Sequence, residues 1–237
     1  MADIFYFKKF KVVQKKGVMK VGTDGVLLGA WAETAKEKTK VLDVGTGSGL
    51  ISLMIAQENP LVSIDAIDIN RSAIELAEYN FKASHWNKRL NAIDRSLEQH
   101  SQLTEYNYDL IVSNPPFYKS YDKLMDKDRK IARCNVSLPF KQLVSATSKL
   151  LTLNGLFSII IPYEYEDELR KLCELCELHL RRCCRVKGHA QTKVKRSLLE
   201  FSRSKKQPVF NDLILEQSRH IHTEEYLGLV KKFYLKL

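Results

Sequence analysis

A short apolar run, Lys40-Val41-Leu42-Asp43-Val44, followed at once by Gly45-Thr46-Gly47-Ser48-Gly49 and a second apolar run from Leu50, limits this chain's folds more than any other feature. The first run is too short for a helix and reads as a buried strand, while Leu50-Ile51-Ser52 begins a helix. Between them, three glycines in five residues make a turn in which the backbone takes dihedrals that side chains obstruct. Gly45 and Gly47 let the backbone approach a ligand, and Gly49 lets helix and strand pack closely. A strand feeding a helix through such a turn opens a doubly wound α/β sheet, with a ligand at the strand's carboxyl end facing the helix N–H groups.

The spacing is Gly-x-Gly-x-Gly, and Leu50 stands where a dinucleotide fingerprint needs Gly or Ala. That argues against NAD and for S-adenosylmethionine. A second strand, residues 62–67, ends in Asp68, 25 residues after Asp43, a normal strand-helix-strand interval. Asp68 is placed to accept both ribose hydroxyls. Either carboxylate alone would read as solvated; beside three glycines, Asp43, Gly45, Thr46, Gly47, Gly49, Asp68 and Ile69 read as a cofactor site.

The run Asp109-Leu110-Ile111-Val112-Ser113-Asn114-Pro115-Pro116-Phe117 names the chemistry. A buried strand ending in Asn-Pro-Pro-Phe can grip an exocyclic amine. Such a nitrogen is a poor nucleophile while its lone pair is delocalised into a ring, so a site must draw its two hydrogens out of the ring plane. The Asn114 side-chain oxygen and the Pro115 carbonyl, freed because a Pro-Pro step cannot continue a ladder, take one N–H each. Phe117 then stacks on the ring. A proline turn exposing one aromatic is the bland alternative for these residues in isolation. Their place downstream of the glycine turn decides the matter, and Asn114 also borders the cofactor.

Alternating strands and helices continue to Lys187. Strands near Val41, Ile64, Asn91, Leu110, Phe157, Cys183 and Leu199 give a seven-stranded, mainly parallel sheet. The last two lack an intervening helix and form an antiparallel edge hairpin. Residues 213–215 add a short strand, and residues 224–237 a final amphipathic helix. Ahead of the core lie an N-terminal hairpin (residues 5–13, then 18–21) and a helix capped by Thr23 or Asp24. No linker or repeat divides the chain, which reads as one domain over 1–237, with 1–39 as an N-terminal extension packing over the cofactor and 40–237 as a Rossmann-like core. Without an apolar leader or a membrane-length segment, it reads as cytoplasmic.

The formal charge is +10, and its placement matters more than its size. Residues 179–206 carry ten Lys or Arg against one acid, Glu200, a local charge of +9. Arg181, Arg182, Lys193, Lys195 and Arg196 within it suit a polyanion; a solvated basic face is the alternative. A second basic stretch after Phe117 contains Lys119, Lys123 and Arg133 and reads as a loop that orders on RNA. Of five cysteines, Cys173 and Cys176 lie on one face of a helix over residues 166–178, and the adjacent Cys183 and Cys184 point to opposite faces of a strand. These spacings suit small apolar residues rather than a metal, and no metal is expected. No Pro-Cys pair exists, which leaves direct transfer to an amine as the simpler chemistry.

With these motifs placed, the chain resembles the Rossmann-like class I methyltransferases, and within them the amino-methylases that carry Asn-Pro-Pro-Phe/Tyr. Phe7-Lys8-Lys9-Phe10, the run Met19-Lys20-Val21-Gly22-Thr23-Asp24-Gly25 through Trp31, the basic loop up to Arg133, and the ending Glu224-Glu225-Tyr226 through Leu235 are similar to the bacterial tRNA1(Val) (adenine-N6)-methyltransferase family. The resemblance implies methylation of adenine N6 in tRNA, at the adenine just 3′ of the anticodon, by a monomer. It also implies that Lys20, Thr23 and Asp24 close over the methionine end of the cofactor. Relatives often end the third strand in an Ala-Asp or Gly-Asp pair that receives the cofactor adenine; Arg95-Ser96 stands there, so Ser96, Leu97 or a backbone carbonyl is left for that role. Protein glutamine N5-methylation, DNA adenine methylation and RNA binding without catalysis are the rival readings. The first usually brings an N-terminal helical domain, and only some forty residues precede the glycine turn.

Overall fold

The computed structural model describes residues 3–34, 39–116 and 140–236. Its centre is an eight-stranded sheet in the order β10-β8-β9-β7-β6-β3-β4-β5. The parallel half comprises β3 (Thr39–Val44), β4 (Val62–Asp68), β5 (Leu90–Asp94), β6 (Tyr108–Ser113) and β7 (Leu151–Pro162). Their apolar runs are buried on both faces, as strands covered by crossover helices require. β9 (Arg196–Ser202) then pairs antiparallel with both β7 and β8 (His179–Lys187). All seven expected strands are present. The eighth, β10 (Val209–Ile214), pairs parallel to β8. It is longer than the 213–215 segment read from the sequence because an exposed edge strand carries little apolar signal.

Helices α1 (Thr23–Trp31), α2 (Leu50–Glu58), α3 (Arg71–Lys82) and α7 (Glu224–Val230) share a core with one face of the sheet. The other face packs α4 (Leu97–Leu103), α5 (Phe140–Leu150) and α6 (Glu166–Leu175). Cys184 lies in the first core and Cys183 in the second, as alternation along β8 dictates. Helix α6 ends earlier than the periodicity suggests: Cys176 closes it and Glu177 turns with φ 57°. Helix α7 likewise stops at Val230, and the chain beyond it returns to pair Tyr234 with Phe7.

The N-terminal hairpin is β1 (Asp3–Tyr6) on β2 (Lys11–Gln14), so the expected second strand at 18–21 is corrected. Gly17 turns the chain at φ 92°, Val18 packs on Ala73 and Leu76, and Val21 N–H donates to Gln14 Oε1 at 2.8 Å. Local bonds and anchoring thus make residues 15–22 a loop. Asn80, 1 % exposed, fastens this region to the core: it bonds both backbone groups of Val13 and donates to the Ser48 carbonyl at 2.9 Å. No described helix is long and apolar enough to cross a membrane.

Candidate active site

The glycine turn sits at the carboxyl end of β3. Gly45 and Thr46 N–H groups donate to the Ile67 carbonyl at 2.9 and 3.0 Å, binding the turn to the neighbouring strand. Gly45, Gly47 and Gly49 have φ of 73°, 57° and 82°. A Cβ on Gly45 or Gly47 would meet nothing within 4 Å, so there the backbone borders open space. A Cβ on Gly49 would lie 2.5 Å from Phe81 Cε1, so that glycine serves packing against α3.

Asp43 is fully buried behind the turn, and its Oδ2 accepts from Thr46 Oγ1 at 2.8 Å and Ser52 Oγ at 2.7 Å. Its Oδ1 is buried without a hydrogen-bond partner among the described residues. Burial pushes the carboxyl up to about 6, against the lowering effect of the Ser52 and Thr46 hydrogen bonds. Asp68, at the end of β4, accepts from Gly47 N–H at 3.0 Å and Asn70 N–H at 2.8 Å. Burial raises its carboxyl too, and the N–H groups of Asn70 and Gly47 pull it back in part.

A cavity of about 670 Å³ opens over these groups. Of the expected cofactor residues, Lys20, Thr23, Asp24, Gly45, Thr46, Gly47, Asp68, Ile69, Ser96 and Asn114 line it; Asp43 and Gly49 stand behind the wall. The open space beside Gly45 and Gly47 and the Asp68 carboxylate at the rim fit a ligand such as S-adenosylmethionine, with its polar amino-acid end and ribose.

Two local readings change. Gly22 occupies the N-cap of α1 without a side-chain bond, so neither Thr23 nor Asp24 caps it; Asp24 instead meets Arg196 Nε at 2.8 Å. Ser96 is the N-cap of α4 in a capping box: its Oγ accepts from Gln99 N–H at 3.1 Å, and its own N–H donates to Gln99 Oε1 at 3.0 Å. Those bonds end the β5–α4 turn and leave the Ser96 hydroxyl, with its own proton and a second lone pair, at the cavity wall.

The Asn-Pro-Pro segment opens on the same cavity. Ser113 Oγ donates to the Val44 carbonyl at 3.0 Å, bolting the end of β6 to the end of β3, and Asn114, Pro115 and Pro116 follow along the wall. Asn114 Nδ2 lies 4.0 Å from Met19 Sδ, placing residues 15–22 opposite the amine-gripping motif. Met19 and Gln142 also line the cavity. Neither carries a spacing signal; only the chain's path brings them there. Phe117, Lys119, Lys123 and Arg133 lie outside the described residues.

The basic residues fare differently. Arg182 forks onto Glu200 at 2.8 and 2.7 Å, donates to the Trp31 carbonyl and stacks 3.8 Å from the Trp31 ring centroid. Arg181 pairs with Glu33 and Glu200, both at 3.3 Å, and Arg196 pairs with Asp24. Lys193 and Lys195 are exposed and make no ion pair among the described residues. No cluster of metal-ligating side chains occurs among the described residues.

Comparison with known proteins agrees with this geometry. Residues 15–177 match the methyltransferase small domain model. The chain is 44% identical over 234 residues to the tRNA1(Val) (adenine(37)-N6)-methyltransferase of Flavobacterium psychrophilum, covering 99% of this chain and 100% of that one. It is 38% identical to the protein of that name from Trichodesmium erythraeum, covering 98% of each. Among solved structures, a predicted O-methyltransferase from Agrobacterium tumefaciens superposes with TM-score 0.71 at 13% identity, covering 89% of this chain and 96% of that one. The T. thermophilus 16S rRNA N2 G1207 methyltransferase, solved with AdoMet and guanosine, gives 0.60 at 18%, covering 86% and 50%. These two likenesses concern the fold. With a glycine-turn cavity that an Asn-Pro-Pro motif enters, and relatives of this identity along its whole length, the chain belongs to the methyltransferase small domain family and, within it, to the tRNA1(Val) (adenine(37)-N6)-methyltransferases.

Proposed function

We propose that this protein methylates the N6 amine of adenine in tRNA with S-adenosylmethionine, at the adenine 3′ of the anticodon in tRNA1(Val). One observation carries the reading: Asn114-Pro115-Pro116 and the glycine turn open onto a single cavity, while the full-length relatives bear the name of that activity.

Bound there, the cofactor supplies an electrophilic methyl group on its sulfonium. Asp68 would hold its ribose, Asp43 would brace the glycine turn from behind, and Lys20, Thr23, Asp24 and Ile69 would border it. The Asn114 side-chain oxygen and the Pro115 carbonyl hold the two adenine N–H groups, turning the nitrogen lone pair toward the methyl carbon. Phe117 stacks on the base. The nitrogen so held would receive the methyl group, and the amine proton would pass to solvent. A base in a loop is easier to unstack than one in a duplex, which favours an anticodon-loop target. In this reading the chain acts as a cytoplasmic monomer and a single unit, with residues 1–39 closing over the cofactor.

The test is tritiated methyl transfer from S-adenosylmethionine to total tRNA from a strain lacking the gene, followed by nucleoside analysis. Label in N6-methyladenosine of tRNA1(Val) is expected. Label on release-factor protein, with none in RNA, would replace the proposal with glutamine methylation.

A further inference from the structure

We propose that RNA reaches the cavity between two lysine loops, residues 15–20 and 187–195, which meet at the Asp24–Arg196 ion pair. In the same proposal, the lysines at the other end of β9 take no part in binding. This rests on RNA as the substrate and specifies where its phosphates lie.

The basic segment 179–206 is continuous in sequence, but the antiparallel β8–β9 pair cuts it in two. Arg196 pairs in register with Pro162 and Val186 at the carboxyl edge of the parallel strands, where the cavity opens. Ser202 pairs with His179 at the far edge, and Arg203, Lys205 and Lys206 follow it. The six steps from Arg196 to Ser202 span about 20 Å at about 3.3 Å per residue. That is more than twice the screening length of about 8 Å at physiological ionic strength, so charge at the far edge is scarcely felt at the cavity. Much of that far charge is also neutralised, because Arg181 and Arg182 are held by Glu33 and Glu200.

At the near edge Lys193 and Lys195 are exposed, and their ammonium groups make no ion pair among the described residues. The loop after β2, whose Gly17 to Lys20 line the cavity, carries Lys15, Lys16 and Lys20, all exposed. Lys20 alone is paired, with Asp3 at 2.9 Å, and both partners are more than half exposed, so a phosphate can displace that contact cheaply. The loop's position is fixed by the Val21–Gln14 bond, by the burial of Val18 and by the contact of Met19 with Asn114. It runs directly into α1, whose Asp24 holds Arg196, the first residue of β9 after the other loop, at 2.8 Å. The two loops thus approach each other through the Asp24–Arg196 pair beside the cavity, and each carries exposed lysines. A single RNA strand whose target base enters the cavity would have backbone on both sides of that base, which matches this pattern of charge.

The test measures binding of an unmodified tRNA1(Val) transcript by fluorescence anisotropy across a salt series, using the full chain. K15A/K16A and K193A/K195A should each weaken binding and flatten the slope of log affinity against log salt by about 1.4, at roughly 0.7 per single-strand phosphate contact. K15R/K16R should restore the slope, and S-adenosylmethionine affinity by calorimetry should be unchanged, which separates lost charge from lost fold. K205A/K206A should keep the wild-type slope. A flattened slope in K205A/K206A with none in K15A/K16A would overturn the surface. So would normal methylation by K15A/K16A at an unchanged KM for tRNA. A wild-type protein that shows these slopes and methylates no RNA would remove the proposed reaction and leave the surface standing.

Discussion

At the end of β3, Asp43 is fully buried, accepts from two hydroxyls and keeps one oxygen unpartnered among the described residues. In the antiparallel half of the same sheet Glu200, and at the start of the α6 helix packed on it Glu166, are buried to a similar degree, yet every carboxylate oxygen is matched. Arg185 grips both oxygens of Glu166, and Ser197 adds a bond of 2.6 Å; Arg182 forks onto Glu200, and Ser158 adds one of 3.0 Å. The consequence for charge is opposite. Burial leaves Asp43 at about 6, whereas at Glu166 burial acts upward and is outweighed by Arg185 and Ser197, so its carboxyl is held below the usual range. A buried carboxylate without a cationic partner costs stability, and the protein keeps one directly behind the glycine turn, where the Thr46 and Ser52 hydroxyls hold it. The paired carboxylates belong to the scaffold and explain why so many arginines of the basic segment face inward.

The most disruptive way to erase this contrast is Arg182→Met, which leaves Glu200 to the single, partly exposed Arg181. Breaking one side of a buried pair costs about 3–5 kcal/mol, or roughly 6–20 °C in Tm for a chain of this size, read by thermal melts. An unchanged Tm would mean that the far half does not depend on its pairing. On the cavity side, Asn114→Ala should lower kcat by about 10²–10³-fold, the range for removing one oriented polar group from a reacting centre. Calorimetry should show S-adenosylmethionine affinity nearly intact, and near-normal turnover would refute the role given to Asn114. Gly49→Ala tests whether the turn is set by packing: it should cost about 2–4 kcal/mol from the left-handed φ and the overlap with Phe81. Denaturant midpoints would read that loss.

The smallest effect sharpens the contrast by removing the Asp43 charge. An acid whose folded value is raised destabilises the fold when ionised, and that penalty is complete above pH 6. It shrinks as pH falls through 6 and is gone near the ordinary carboxylate value of about 3.9. Asp43→Asn should therefore stabilise the cofactor-free protein by about 1–3 kcal/mol at pH 7.5, with the gain vanishing near pH 4. A gain independent of pH would assign the effect to packing instead.

Much of the site was legible because it is local. Glycines at fixed spacing announce a turn, and apolar runs announce the strands that precede Asn114 and Asp68. Reading fell short where a side chain's partner is not announced by the local pattern, whether it lies near or far in sequence. Asp24 looks like a helix cap, but Arg196, 172 residues on, takes its carboxylate. Ser96 reads as a ligand group and lines the cavity, but its part in a capping box with Gln99 emerges only in the structure. Residues 18–21 have strand composition, yet Gln14 and the packing of Val18 hold them as a loop.

By itself, then, the sequence determined the alternation that builds a parallel sheet, the left-handed glycine turn and the amine-gripping segment, because each depends on residues within a few positions of one another. Tertiary structure alone decided that Met19 faces Asn114, that Asn80 fastens the N-terminal hairpin to the glycine turn, and that one basic segment is split between two ends of a sheet. Charge in a sequence has no direction. Antiparallel pairing gives it one, and at about 20 Å, screening makes the two ends independent of each other.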